Sequence, residues 1–195
     1  VMKAWPSKSN RAPENIRTSN DRSGSGRLRV PRLPPFKQFR RSELEVFDRI
    51  GKGAYGCVWQ AKILESRKEV VVKVVWPDAD LDPEDSKDAS PGNHRREAFK
   101  KEIHMMQRVG QHSNIVEFYG ATSDCTVIVF EQALADLHDI IRKQKSGLKL
   151  PMVARCCKDI LKGIDYLHSI GVMHRDIKPA NLLMFKDMAV KICDF

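Results

Sequence analysis

Residues 174–181 read His-Arg-Asp-Ile-Lys-Pro-Ala-Asn, and the pair Asp194-Phe195 follows after one more short hairpin. Each residue type in this stretch has a chemical use. The carboxylate of Asp176 can orient an attacking hydroxyl group, and the ammonium of Lys178 can neutralise phosphate charge. The side-chain oxygens of Asn181 and Asp194 are ligands that a divalent metal such as Mg²⁺ prefers. The stretch therefore predicts phosphoryl-transfer chemistry.

A second motif lies upstream, where residues 51–58 read Gly-Lys-Gly-Ala-Tyr-Gly-Cys-Val and fit the pattern GxGxxGxV. Glycines let backbone N–H groups approach phosphates without interference from a Cβ atom. Dinucleotide sites use a similar spacing, but their loop opens a helix, whereas residues 57–63 alternate like a strand. A Walker A loop needs Gly-Lys followed by Ser or Thr, which is absent here. The remaining alternative is an ordinary tight hairpin.

A lysine, Lys73, interrupts the apolar, β-branched run at 69–76, which predicts a strand. A buried ammonium without a partner is costly, so an acidic residue is expected nearby. The segment 95–109 has helical spacing and offers Glu97 and Glu102, which lie on different helix faces. The residue pattern alone leaves both open as partners.

The rest of the chain alternates between short strands and helices. Strands are predicted at 44–50, 57–63, 69–76, 115–120 and 126–131, and helices at 95–109, 136–145 and 152–170. A final hairpin joins 182–185 to 189–192, and the acidic, Pro- and Gly-containing segment 77–93 predicts a loop. Five strands around one helix, followed by further helices, indicate an α+β fold and not repeated βαβ units.

The net charge of +9 over 195 residues belongs to the N-terminal segment. Residues 1–41 hold 11 Lys and Arg against 2 Asp and Glu, whereas residues 42–195 hold 23 of each sign. This segment is also rich in Ser, Pro and Gly, which predicts a disordered basic tail. A basic tail can bind acidic surfaces or nucleic acid, but this one lacks interleaved aromatic residues, so nucleic acid is not the expected partner.

The five cysteines show no metal-site spacing, and their odd number suits a reducing compartment. No apolar run approaches the roughly 18–20 residues that would span a bilayer, and no signal peptide is recognisable. The expected location is the cytoplasm or the nucleus, with no membrane partner.

Together the motifs resemble the catalytic domain of the eukaryotic protein kinase family over residues 44–195. The resemblance implies an α+β bilobal fold, with a small lobe of antiparallel sheet plus one helix at 42–133 and a truncated helical large lobe at 134–195. Lys178, two residues after Asp176, is typical of serine/threonine kinases. The spacing after Phe130 is similar to that of the mitogen-activated and cyclin-dependent kinases. The chain is expected to be a fragment that ends within the Asp-Phe-Gly motif.

The resemblance also implies roles for individual residues. Asp176 would orient the substrate hydroxyl, Lys178 would stabilise the transferred phosphoryl group, and Asn181 and Asp194 would bind Mg²⁺. Lys73 would hold ATP phosphates and pair with Glu102, which the sequence Lys101-Glu102-Ile103 favours over Glu97. The residues expected around the nucleotide are Ile50, Gly51, Gly53, Gly56, Val58, Val71, Lys73, Phe130, Glu131, Ala133, Asp136 and Leu183. Among them Phe130 is the gatekeeper, Glu131 and Ala133 face adenine, and Asp136 faces the ribose.

Three further expectations come from the resemblance. Val71 stands where the family usually has Ala, which could lower nucleotide affinity. His174 would stack on Phe195, in a column with Met106 and Phe118, while Arg175 would serve an activation-loop phosphate. Tyr55 matches the position of an inhibitory phosphosite in cyclin-dependent kinases.

The expected partners are ATP, protein substrates with Ser or Thr, and a possible regulatory protein, but not a cyclin, because an acidic insert at 77–93 replaces the cyclin-contacting region. An alternative function is an inactive nucleotide-binding or interaction module, since the helix at 152–170 would leave part of its apolar surface uncovered.

Overall fold

The computed structural model describes residues 35–52, 56–75, 91–144 and 147–195, with side chains from residue 95 onward in the helix that begins at residue 91. Residues 1–34, most of the acidic segment at 77–93, and the loop tip 53–55 lie outside the described residues. The predictions for Gly53 and Tyr55 therefore fall outside the description. Within the described ranges, no helix is both long and apolar enough to cross a membrane.

The first part of the chain forms a six-stranded sheet with one helix. The strands are β1 (Lys37–Phe39), β2 (Leu44–Lys52), β3 (Gly56–Ile63), β4 (Glu69–Val75), β5 (Phe118–Thr122) and β6 (Val127–Glu131), and helix α1 spans Pro91–Val109. Their order across the sheet is β1-β5-β6-β4-β3-β2. All neighbouring pairs are antiparallel except β1 and β5, which run parallel.

The two faces of this sheet have separate cores because successive side chains of a strand point to opposite sides. In β6, Val127 and Val129 belong to an outer core, whereas Ile128 and Phe130 face α1. The outer core also contains Phe39, Leu44, Val46, Ala61, Ile63, Val70, Val72 and Val74. The core beneath α1 consists of Phe99, Ile103, Ala121 and Ile128, with Phe36, Val75, Phe118, Cys125 and Phe130 packed against it.

The sheet is strongly curled. Strands β1 and β2 lie at opposite edges, yet only residues 40–43 connect them. Five residue steps reach about 17 Å, whereas six flat strands would place their edges about 24 Å apart. The sheet must therefore bend until its edges approach, which agrees with the register shifts in β2 between Val46 and Gly51.

The second part of the chain is smaller. It contains β7 (Ala135–Asp136), α2 (Leu137–Lys143), α3 (Leu150–Ser169), β8 (Leu182–Met184) and β9 (Val190–Ile192), with the sheet order β7-β8-β9. Its buried core is made of Val109, Ile115, Leu137, Cys156, Leu167, Val172, Leu182, Met184, Val190 and Ile192. Two members of this core, Val109 and Ile115, come from the end of α1 and the segment after it, so the two parts share a boundary.

The segment after α1 is fixed to β9 by hydrogen bonds. The backbone N–H of Val116 donates to Ile192 O (2.9 Å), and Ile192 N–H donates to Asn114 O (3.0 Å). The buried amide of Asn114 donates to Val190 O (3.0 Å), and the hydroxyl of Tyr166 in α3 donates to Val109 O. The C-terminal end of α1 is therefore anchored to the second part of the chain.

Several sequence predictions need correction. The basic tail does not extend to residue 41, because Lys37–Phe39 form β1, so the first sheet has six strands and not five. Helix α1 begins at Pro91 and not at residue 95, so the predicted loop at 77–93 ends earlier; proline suits the first turn of a helix, where its missing N–H is not needed. The strand predicted at 115–120 begins at Phe118, because Ile115 and Val116 bind β9 instead. Long α3 runs from Leu150 to Ser169, close to the prediction.

Candidate active site

A lysine and two carboxylates meet where the two parts of the chain face each other. Lys73 Nζ lies 2.8 Å and 2.9 Å from the carboxylate oxygens of Glu102 in α1, and 3.5 Å from Asp194 Oδ1 after β9. Strand alternation turns Lys73 toward α1, since its neighbours Val72 and Val74 belong to the outer core. Glu97, the competing partner, binds Lys100 at 2.6 Å instead. The prediction of a Lys73–Glu102 pair is confirmed.

The electrostatics of this trio favour a charged lysine. Lys73 and Glu102 are largely buried, with side chains 18% and 22% exposed, whereas Asp194 is 60% exposed. Burial alone would lower the pKa of Lys73, but the charges of Glu102 and Asp194 outweigh burial and hold that pKa above its ordinary value. The site therefore presents one fixed cation beside a carboxylate that is open to a ligand.

Asp176 lies in a second hydrogen-bonded group on the loop after α3. Its Oδ2 accepts from Lys178 Nζ (2.6 Å) and from the amide of Asn181 (3.0 Å), which also donates to Asp176 O (2.9 Å). The hydrogen bond from Lys178 lowers the pKa of Asp176. A carboxylate with a lowered pKa stays ionised and is suited to accept a hydrogen bond from a hydroxyl group and orient it.

His174 joins this loop to the end of β9. Its Nδ1 accepts from the backbone N–H of Asp176 (3.2 Å), so its Nε2 carries the proton and donates to Cys193 O (2.9 Å). Its ring meets Phe195 edge to face at 5.9 Å between centroids, which places the predicted pair in contact. Phe118, which was expected in the same column together with Met106, contacts the rings of Phe36 and Phe130. The full column therefore stays a prediction. The hydrogen bond from His174 to Cys193 O ties the loop that carries Asp176 to the residue before Asp194.

Two non-glycine residues in this region have strained backbone conformations. Arg175 has φ 68° and Asp194 has φ 58°, in the left-handed region that side chains with a Cβ avoid. Such strain persists only where surrounding contacts impose it, and it concentrates at functional sites. Here it lies next to Asp176 and at Asp194 itself.

Asn181 and Asp194 offer oxygen ligands for a metal. The backbone N–H of Cys193 donates to Asn181 O (3.0 Å), so Asn181, just before β8, and Asp194, just after β9, lie at the same end of the second sheet. Because the amide nitrogen of Asn181 is used for Asp176, its side-chain oxygen is the atom available to a metal. A carboxylate and an amide oxygen suit Mg²⁺ or Mn²⁺ and not a metal that prefers nitrogen and sulfur. The residues present therefore fit a magnesium ion.

The residues expected around a nucleotide come from both sheets. Val58 pairs with Gly51 on one side and with Lys73 on the other, and Val71 pairs with Phe130. Ile50 is exposed at the end of the same surface. Leu183 lies in the second sheet, opposite Asp136 and Lys191. These side chains are contributed by both sheets.

The segment 130–136 passes from the first sheet to the second. Glu131 N–H donates to Glu117 O (3.0 Å), so this N–H is not available to adenine, and Leu134 N–H donates to Met184 O (2.8 Å). Asp136 also caps helix α2, since its Oδ1 accepts from Asp139 N–H at 2.8 Å. The sequence analysis did not foresee this capping role, which leaves one carboxylate oxygen of Asp136 for a ligand.

Two glycines of the loop at 51–58 differ in how much space a Cβ atom would have. A Cβ atom on Gly56 would lie 2.2 Å from Val74 O and 3.1 Å from the ring of Phe99, so this glycine is required by close strand packing. A Cβ on Gly51 would meet only Val58 at 3.4 Å, an ordinary contact. Of these two, Gly51 is the one whose space is open to a ligand.

Sequence reasoning missed one buried ion pair close to the site. Lys191 Nζ in β9 lies 2.7 Å from both carboxylate oxygens of Glu131 at the end of β6. Lys191 interrupts an apolar strand just as Lys73 does, so the same argument about a buried ammonium could have predicted an acidic partner, although not which one. The pair connects the two sheets directly beside residues 130–136.

Comparisons with known proteins agree with this arrangement. The family model for the protein kinase domain matches residues 44–195. The serine/threonine-protein kinase STY46 of Arabidopsis thaliana is 32% identical over an alignment that covers 98% of this chain and 31% of that protein. The mitogen-activated protein kinase 15 of Caenorhabditis elegans is 36% identical, covering 77% of this chain and 31% of the relative. The extracellular signal-regulated kinase 2 of Dictyostelium discoideum is 34% identical, covering 77% of this chain and 38% of the relative.

The chain thus spans between 31% and 38% of the lengths of these curated relatives. The mitogen-activated protein kinase among them agrees with the subgroup that the sequence after Phe130 resembles.

Proposed function

This chain belongs to the protein kinase family, and from that premise we propose that it carries the nucleotide-binding and catalytic-loop parts of a serine/threonine protein kinase. The proposed reaction transfers the γ-phosphoryl group of ATP to a Ser or Thr hydroxyl of a protein substrate, with Mg²⁺ as cofactor. The contact of Lys73 with both Glu102 and Asp194 carries the proposal, because it joins a fixed cation to the metal-binding residue.

The chain's own residues divide the work between binding and positioning. Lys73 binds phosphate oxygens with its charged ammonium, and Glu102 holds that ammonium in place. Asn181 and Asp194 would hold Mg²⁺, which when bound offsets charge on the phosphate oxygens. Asp176 accepts a hydrogen bond from the substrate hydroxyl and receives its proton as the new oxygen–phosphorus bond forms. The bond between the γ-phosphorus and the bridging oxygen breaks at the same time, ADP leaves with that oxygen, and Lys178 offsets charge on the transferred group.

The adenosine part of ATP would lie between the two sheets. Ile50, Val58, Val71 and Leu183 supply its apolar contacts, the backbone of Glu131 and Ala133 pairs with adenine, and Asp136 approaches the ribose. Phe130 closes the space behind adenine. The five free cysteines support a reducing compartment, and we place the protein in the cytoplasm or the nucleus.

A test of this function separates binding from transfer. Titration with a fluorescent ATP analogue should show Mg²⁺-dependent binding, which Asp194→Asn and Lys73→Met weaken at least about tenfold. Asp176→Asn should bind like the unchanged chain but abolish phosphate transfer to a generic basic protein. An unchanged chain that binds no ATP analogue with Mg²⁺ would contradict the proposal.

A second candidate function, an inactive nucleotide-binding or interaction module, has one observation in its favour. Several large apolar side chains on and around α3 are exposed, and Leu161 is 64% exposed. The transfer assay distinguishes the two functions when this chain is compared with a C-terminally extended version. Transfer by the longer version alone would assign the module function to this chain.

A further inference from the structure

The contacts described above hold helix α1 firmly at its C-terminal end. Its C-terminal end is anchored through Val109 and the segment that follows it. Glu102 lies seven residues before Val109, about 10 Å along the helix axis. The position of Glu102 therefore depends on how the middle of α1 packs against the first sheet, where Phe99 and Ile103 form the core.

Strand β1 lies at the edge of the first sheet next to β5, and the residue before it reaches this core. Phe36, immediately before β1, packs against the cluster that contains Phe99 and Ile103. Its ring centroid lies 5.7 Å from that of Phe118, which in turn lies 6.1 Å from that of Phe130. Phe36 is thus the first of three aromatic rings that run from the N-terminal segment to the gatekeeper.

The sheet is shaped to receive β1. Gly120 has φ +149°, and a Cβ atom there would lie 2.0 Å from Lys37 O, so only glycine allows β1 to pair at this edge. Phe39 points to the other face and is buried in the outer core. Arg41 donates to Thr126 Oγ1 (2.6 Å) and lies 3.9 Å from Asp124, which fixes the end of the segment to the turn between β5 and β6. These contacts hold Phe36 in one place.

We propose that Phe36 is a positioning residue, which holds α1 against the sheet so that Glu102 meets Lys73. This inference deepens the proposed function, because the Lys73–Glu102 pair belongs to the ATP site. Phe36 touches neither ATP nor substrate in this proposal. It acts through the apolar core beneath α1, where removing its ring would leave a cavity next to the cluster that contains Phe99 and Ile103.

The experiment compares Phe36→Ala with Phe47→Ala in the whole chain. Both replace a half-buried phenylalanine, but Phe47 lies in β2, at the far edge of the same sheet. Two measurements are made by mass spectrometry: amide hydrogen exchange in residues 99–106, and the rate at which acetic anhydride acetylates Lys73. Neither measurement requires ATP, so the result does not depend on whether the proposed function is correct.

Phe36→Ala is expected to speed amide exchange in α1 about tenfold and acetylation of Lys73 several-fold, because both report release of the helix. Phe47→Ala should change each rate by less than about twofold, and Phe36→Leu should restore the rates of the unchanged chain. Should Phe36→Ala fail to fold, Phe36→Val removes less apolar volume and is judged by the same criteria. An unchanged rate of Lys73 acetylation overturns the proposal, whether or not amide exchange rises. Faster amide exchange alone would mean that Phe36 stabilises the core beneath α1 without holding Glu102 against Lys73.

Discussion

Lys73 acquires two acidic partners through the alternation of a single strand. Val72 and Val74 point to the outer core, so Lys73 must face α1, where Glu102 occupies the facing turn of the helix. Had the register of β4 shifted by one residue, the lysine would lie in the apolar outer core without a partner. The apolar residues on both sides of Lys73 therefore specify the ion pair as much as the charges do.

Replacing Lys73 by methionine should separate binding from stability. Methionine has a similar shape but no charge, so binding of an ATP analogue should weaken at least tenfold and phosphate transfer should fall about 100-fold. Stability should fall by about 1–2 kcal/mol, because the largely buried carboxylate of Glu102 loses its cationic partner. Asp194 loses the same partner, but its carboxylate is exposed and stays solvated. Chemical denaturation and the binding titration measure the two effects. Lys100→Met, which removes an exposed lysine of α1, is the control and should change neither quantity appreciably.

His112 gives the fold a dependence on acidic pH. Its ring stacks on Tyr166 at 4.4 Å, and its Nδ1 accepts from the backbone N–H of Asn114 at 3.1 Å. Burial, and next the charge of Lys162, lower the pKa of His112 from its ordinary value of 6.5. The unfolded chain therefore binds a proton first as the pH falls. The stability that the neutral ring contributes is complete above that ordinary pKa and is lost as the pH falls through the folded-state pKa.

The measurement is the urea midpoint of unfolding at a pH about one unit above and one unit below the ordinary pKa of histidine. The unchanged chain should lose more stability on acidification than His112→Phe, which keeps the stack on Tyr166 but cannot be protonated. The other five histidines are common to both chains, so their contribution cancels in the difference. Equal losses for the two chains would show that His112 does not titrate in this range.

At the scale of elements, the sequence predicted those strands and helices whose own periodicity is strong. Five elements lie within a few residues of their predicted bounds: β2, β3, β4, β6 and α3. Each of these segments has apolar residues at the spacing of a strand or of a helix. Strand β1 has no such pattern: its three residues follow prolines in a basic segment, and it becomes a strand only because Gly120 leaves β5 open to pairing. A strand created by its neighbour cannot be read from its own residues.

Helix α3 packs unusually close to the segment after α1, at Gly163. A Cβ atom on Gly163 would lie 2.8 Å from Asn114 O and 2.8 Å from Ile192 Cδ1. In an isolated helix, Gly→Ala would stabilise by about 1 kcal/mol. Here the added methyl group must push α3 away from a backbone carbonyl, and overpacking of this kind costs about 1–3 kcal/mol.

Gly163→Ala should therefore destabilise the chain by about 1–2 kcal/mol net, measured by thermal or urea unfolding. The control is Ala154→Gly on the exposed side of the same helix, which reports helix propensity alone and should cost up to about 1 kcal/mol. Stabilisation by Gly163→Ala would mean that α3 does not approach Asn114 as closely as described.

At the scale of the whole molecule, the site depends on how the two sheets are held together. The trio of Lys73, Glu102 and Asp194 spans them, and so does the segment after α1 that binds β9. The motifs predicted which residues meet in the trio, because a resemblance to a family also implies the contacts between residues that are far apart in the sequence. Nothing in the local pattern of β9 showed that Lys191 would reach Glu131, sixty residues earlier, since that contact requires the finished arrangement of both sheets.

The Glu131–Lys191 pair should contribute to that arrangement in a measurable way. Glu131 is only 11% exposed, and its Oε1 accepts from Glu117 N–H (2.6 Å) as well as from Lys191. Lys191 also lies 4.6 Å above the ring of Phe185. Removing the lysine leaves a buried carboxylate with one neutral donor, so Lys191→Met should cost about 2–3 kcal/mol of stability.

A double-mutant cycle tests whether the loss comes from the pair itself. Glu131→Gln keeps the shape of the side chain and an acceptor oxygen for Glu117, but removes the charge that Lys191→Met leaves unpaired. The double variant should therefore be more stable than the sum of the single losses predicts, by at least about 1 kcal/mol, because contacting residues are not additive. Strictly additive losses would contradict a direct interaction. If the coupling is present, two charge pairs join the two sheets: Lys73 with Asp194, and Glu131 with Lys191 beside the connecting segment.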